Sequence, residues 1–179
     1  DPAFFAIYEA LLTNDPDGND NHQLATSFTK SADGMEYRFD IDPGGKFHSG
    51  KPADAAAVAD FLAFFKATSF IATLAAPVAS YESEGDQLVV KMNNPWVGAL
   101  GPHKTGYFRV LCLDTWHEAG GLESTTYGTE IADGTGPFTH EEFVPGSHVL
   151  VKRWEDYPGS NTENFENKGA AYLDAIRWT

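Results

Sequence analysis

The chain carries four arginines, and Arg109 lies inside the apolar run Tyr107-Phe108-Arg109-Val110-Leu111. A guanidinium placed there must snorkel out or find an acceptor, because burying it unpaired is expensive. The residues alone leave an internal ion pair, an edge-strand charge and a ligand contact all open. Gly45-Lys46-Phe47-His48-Ser49-Gly50-Lys51 has the spacing of a phosphate-binding loop, in which backbone amides and a lysine hold phosphates between a strand and a helix. Pro52 stands where that chemistry needs a hydroxyl for magnesium, and Pro43 precedes the glycine pair. A pair of turns that sends Phe47 into the core is the better reading.

Other chemistry finds little support. His22, His48, His103, His117, His140 and His148 never fall at the two- or four-residue spacing that puts two imidazoles on one metal. Cys112 is the only cysteine, so no intrachain disulfide forms, and its flanks Val110-Leu111 and Leu113 predict a small buried residue. Neighbouring His140, Glu141 and Glu142 read as a solvated sheet face. Ser147 lacks the glycine pattern of a nucleophile elbow. No enzyme, cofactor or metal site is expected.

These residues need elements to position them. Phe4, Ile7, Tyr8, Leu11 and Leu12 recur at helical spacing, which predicts a helix over Ala3 to Leu12, stopped by Asn14-Asp15-Pro16-Asp17-Gly18. Met35, Tyr37, Phe39 and Ile41 alternate with polar neighbours and predict a strand. Asp54 is placed to cap a helix through about Lys66, with Val58, Phe61, Leu62 and Phe65 on one stripe. Phe70, just beyond it, reads on pattern as a core aromatic. Pro77 to Tyr81 pairs with Gln87 to Met92, and Phe138 to Phe143 with Val149 to Trp154, as two hairpins. Phe108 to Leu113 reads as a buried strand, followed by a short helix from Asp114 to Ala119 that Gly120-Gly121 ends. A last strand, Ala175 to Trp178, meets Thr179 with no terminating signal, so the fold is expected to continue past this point. The class is mixed α+β or α/β.

The sequence has 179 residues, enough for one domain or slightly more, with 42% hydrophobic, 13% aromatic and 21% charged residues, so a packed core is expected. Twelve basic residues against 26 acidic ones leave a formal charge of −14, which repels phosphate backbones and anionic lipid. Nucleic acid is therefore not an expected partner. No apolar run approaches membrane-spanning length, and Asp1-Pro2-Ala3-Phe4 is not a signal peptide, so an exported protein would have lost its leader.

Leu24-Ala25-Thr26-Ser27-Phe28, Asp33-Gly34-Met35-Glu36-Tyr37-Arg38-Phe39, Gly44-Gly45-Lys46-Phe47-His48-Ser49-Gly50-Lys51-Pro52 and Ala57-Val58 together resemble the signature of family 5 extracellular solute-binding proteins. These are the peptide, dipeptide and nickel receptors of ABC importers. A second stretch continues the resemblance: Gly134-Thr135-Gly136-Pro137-Phe138, Phe143-Val144-Pro145-Gly146, Val149-Leu150-Val151-Lys152-Arg153, Asp156-Tyr157 and Leu173-Asp174-Ala175-Ile176. Order and spacing agree along nearly the whole chain.

The resemblance implies a segment of a type II periplasmic-binding-protein-like fold, whose members close two lobes around a ligand. Residues 1–12 would end the first segment of lobe one, residues 13–133 would form the family-specific subdomain, and residues 134–179 would begin the return segment, with the second lobe outside the sequence. It also implies two ligand contacts. In the nickel and metallophore branch an arginine after the subdomain's hairpin grips ligand carboxylates, the place matched by Arg109; a tryptophan after the long helix stacks on ligand, the place matched by Phe70, which keeps the ring but loses the indole donor. The implied protein is a periplasmic or extracellular monomer, tethered or free, that captures an oligopeptide, dipeptide, opine or nickel-metallophore and presents it to a permease. Its only membrane contact would be the tether or that permease. A stand-alone interaction module without transport is the alternative.

Overall fold

The computed structural model describes residues 2–68, 72–96, 98–104, 107–163 and 165–179. Helix α1 covers only Pro2–Ile7, a correction to the helix expected through Leu12. Ala10, Leu11 and Leu12 are buried on every side, so one apolar stripe cannot describe them, and an extended segment flanked by neighbours buries both faces instead. Those neighbours supply the hydrogen bonds. Val110 N–H donates to the Glu9 carbonyl at 2.9 Å, Leu24 N–H to that of Ala10 at 3.0 Å, and the Gln23 side-chain carbonyl accepts from Ala10 N–H at 2.9 Å. Strand β1, Leu12–Asn14, then pairs antiparallel with β2, Asp20–His22.

Strands β3 (Ala25–Lys30), β4 (Glu36–Ile41), β5 (Val78–Glu84) and β6 (Gln87–Met92) make an antiparallel sheet in the order β3-β4-β6-β5. The alternation in β4 is the one the sequence predicts: Tyr37, Phe39 and Ile41 are buried, while Arg38 on the other face pairs with Glu36 at 2.6 Å and Glu84 at 2.8 Å. Helix α2, Ala55–Thr68, starts where Asp54 accepts the Ala57 N–H at 3.0 Å, and it buries Val58, Phe61 and Leu62. Between β4 and α2, Phe47 is 1% exposed between two turns, with Gly50 at φ 83°. Lys51 is engaged by Glu118 at 2.6 Å. The turn-pair reading of this loop therefore holds.

Short helices α3, Gly101–Lys104, and α4, Leu113–Glu118, flank the Arg109 segment, and α4 ends at a left-handed Gly120, φ 105°. Phe108, Arg109, Val110 and Cys112 are buried as expected and Leu111 is partly so, but the segment forms no strand ladder; single bonds tie it to Glu9 and, from Cys112 N–H at 3.0 Å, to the Asp133 carbonyl. Cys112 is buried. Strands β7 (Phe138–Val144), β8 (His148–Arg153) and β9 (Ala175–Trp178) form an antiparallel sheet in that order. Core residues divide accordingly. One cluster gathers Leu11 through Cys112 around the first sheet and α2, and a second gathers Ala3, Ile7 and Tyr8 with Phe138 and Val151.

Candidate functional site

Arg109 takes its direction from the alternation of an extended backbone. Phe108 and Val110 turn into the larger core, so the side chain between them turns the other way, toward α1. There one Nη1 N–H donates to the Tyr8 carbonyl, and the Phe5 ring lies over the guanidinium with its centroid 4.5 Å from Cζ. The residue is 8% exposed, and its Nε–H is buried without a partner among the described residues. Burial works against the charge, and the Glu9 carboxylate supports it.

Glu9 is placed by the same backbone bond that aligns residues 8–10 with 108–110. Its carboxylate is buried and accepts from the Tyr157 hydroxyl at 2.9 Å. Burial pushes Glu9 up to about 7, against the Tyr157 and Thr135 hydroxyls and the Arg109 charge, which pull it down. The tyrosine is itself pushed up, first by burial and then by the Glu9 charge. Glu9 also lines a cavity of about 90 Å³ with Gln23, Lys46, Thr135 and Pro158.

Two further groups fix the frame behind this cluster. Asp133, 3% exposed, accepts from Ser49 N–H at 3.0 Å and from the Thr115 hydroxyl at 2.5 Å, joining the turn pair to α4. The His48 Nε2 lies 2.8 Å from the Gly136 carbonyl, and Nδ1 accepts from Gly134 N–H at 3.4 Å, which selects the tautomer protonated at Nε2. Burial holds the His48 imidazole below its ordinary range.

Among the described residues Arg109 thus stands near a carboxylate without closing an ion pair, and one of its donors has no partner. Phe70 lies outside the described residues. Glu9, Tyr157 and Phe5 were not singled out from the sequence. The signal for Glu9 was available: it is the one charge in Tyr8-Glu9-Ala10-Leu11-Leu12, the acidic counterpart of Arg109 in its own apolar run. It was hidden by the assumption of a helix, which would have given Glu9 a solvated face.

A four-stranded and a three-stranded antiparallel sheet beside the small β1-β2 pair, with a long helix on the four-stranded one, form a segment of a type II periplasmic-binding-protein-like fold. The chain belongs to the bacterial extracellular solute-binding proteins, family 5, whose middle-region profile matches residues 21–179. Its fold is shared with AgaA from A. tumefaciens R10 in complex with agropinic acid, at TM-score 0.79 and 20% identity over 98% of this chain and 34% of that one. AppA of Bacillus subtilis in complex with a nonapeptide matches at TM-score 0.78 and 23% identity, over 96% of this chain and 33% of AppA. A nickel ABC transporter protein of Bacillus halodurans matches at TM-score 0.74 and 23% identity, over 96% and 32%. At these identities the likeness is one of fold, and the chain spans about a third of each of these proteins.

Proposed function

We propose that this chain supplies one wall of the ligand cleft in the substrate-binding component of an ABC importer, working in the periplasm or outside the cell. The observation that carries the proposal is Arg109: a buried guanidinium, pointed away from the main core, whose Nε–H has no partner among the described residues. Its fork of donors suits a carboxylate, so the solute is a small carboxylate-bearing molecule, whether a peptide, an opine such as agropinic acid or a nickel chelate. Phe70 is the proposed aromatic contact on the same wall. The divided core supports the assignment of residues 13–133 to a subdomain and 134–179 to a return segment of lobe one, although Leu11 and Leu12 pack with the subdomain. The receptor does no chemistry on its solute and hands it to a permease.

The test is a thermal-shift screen of the full-length protein against di- and tripeptides, opines and nickel–histidine, repeated with Arg109→Ala. A ligand-dependent rise in Tm that the variant loses supports the reading. Unchanged affinity in the variant removes Arg109 from the site.

A further inference from the structure

Phe5 is an apolar ring with no apparent reason to be where it is. It sits on α1, 54% exposed, yet the side chain it covers is a buried cation, with 4.5 Å between its centroid and Arg109 Cζ. A core phenylalanine would be hidden, and an exposed helix position does not call for an aromatic residue. One Nη1 N–H is committed to the Tyr8 carbonyl, and the Nε–H has no partner among the described residues. A carboxylate that takes the Nε–H lies close to the guanidinium plane, about 3 Å from that nitrogen. Whatever the carboxylate is attached to then lies near the Phe5 ring, whose centroid is 4.5 Å from the guanidinium carbon.

We infer that Phe5 is a specificity-determining residue of the Arg109 site, favouring carboxylates borne on a planar or apolar group over small hydrophilic ones. The inference rests on the ligand role proposed for Arg109 and adds the substrate class. Arg109 supplies charge and hydrogen bonds, which any carboxylate uses; Phe5 supplies an aromatic face, which only an apolar or planar substituent can use. Its contact with the cation and the Tyr8 hydrogen bond together restrain the guanidinium before the ligand arrives.

The experiment uses the full-length protein labelled with 15N at arginine side chains, with the Arg109 Nε–H resonance assigned by its loss in Arg109→Lys. Sodium benzoate and sodium acetate are the probes, each titrated while that resonance is followed. The expected result is a benzoate affinity roughly threefold to tenfold above that for acetate. In Phe5→Ala the preference falls to within about twofold, and in Phe5→Leu it lies between, since apolar surface remains but the ring does not. Because Phe5 is half-exposed both variants are expected to fold, and an unchanged unfolding midpoint of Phe5→Leu secures the comparison. Equal affinities in the parent, or a preference that survives Phe5→Ala, overturn the role of Phe5 and leave Arg109 standing. If neither anion moves the Arg109 resonance, the ligand role of Arg109 fails and the inference falls with it.

Discussion

The Tyr157 hydroxyl donates 2.9 Å to Glu9 Oε1, a buried bond that reaches from the loop after β8 back to the segment after α1. It holds a carboxylate that burial has made reluctant to ionise. The same segment gives Arg109 a hydrogen-bond acceptor, the Tyr8 carbonyl. Acid, phenol and guanidinium therefore report on one another.

Glu9 binds a proton more tightly folded than unfolded, with about 7 in the native state against an ordinary 4.5. Between those values the native state carries the extra proton, so its stability falls as pH rises through the window. Replacing Glu9 by Gln removes that slope and keeps an acceptor for Tyr157. Urea titrations at pH 5 and pH 8 should show Glu9→Gln gaining about 3 kcal/mol relative to the parent on going from the lower to the higher pH. Parallel profiles would mean that Glu9 is solvated.

His103 works in the opposite sense. It lies 3.0 Å from both the Tyr81 hydroxyl and the Ala99 carbonyl, buried against Phe39 and Phe108, and burial lowers it from 6.5 to about 4. Here the unfolded state holds the extra proton, so stability is complete above about 6.5 and is lost as pH falls toward 4. His103→Gln should gain about 3 kcal/mol relative to the parent as pH falls from 7 to 4, measured by denaturant unfolding. Because this slope opposes that of Glu9, the parent profile is flatter than that of either variant.

Local pattern made strand β4, α2 with its Asp54 cap, both hairpins and β9 legible, because each is declared by neighbours in sequence, whereas β3 and the joining of β4 to the first hairpin were not read. What escaped depends on partners far along the chain. Tyr8 to Leu12 has helical spacing, and only the bonds to Val110, Leu24 and Gln23 draw it out straight. Phe108 to Leu113 has the composition of a strand but finds one bond to either side instead of a ladder. Arg109 stood out because a cation in an apolar run is costly wherever it folds, whereas Phe5 and Tyr157 acquire meaning only from what they touch.

Gly134 and Gly136 are held to glycine by the approach of α1. A Cβ on Gly134 would overlap the Ile7 carbonyl oxygen and sit 2.6 Å from the Tyr8 ring; one on Gly136 would overlap the Ala6 carbonyl and sit 2.8 Å from the Ile7 carbonyl carbon. Backbone cannot step aside as a flexible side chain can. Either substitution by Ala should cost at least about 3 kcal/mol, while Gly146→Ala, with φ 72° but open space around it, should cost about 1 kcal/mol. Chemical denaturation of the three variants checks the order, and equal losses would mean that α1 is free to shift.

Arg109 has a readout that needs no ligand. Its charge lowers Glu9, so Arg109→Gln should push the Glu9 carboxyl above about 7 and extend the alkaline loss of stability upward. At pH 5 Glu9 is protonated with or without the arginine, and the variant loses only the Tyr8 hydrogen bond and the stacking on Phe5, about 1 to 2 kcal/mol. At pH 8 it also loses the arginine's support of the ionised Glu9, which adds up to about 1.4 kcal/mol, a limit reached once Glu9 stays protonated at that pH. Adding Glu9→Gln should cancel that second part and leave the first, so the double variant separates the two contributions. A loss that is the same at both pH values would show that the two charges do not sense each other. The ligand role of Arg109 would then have to be judged on binding alone.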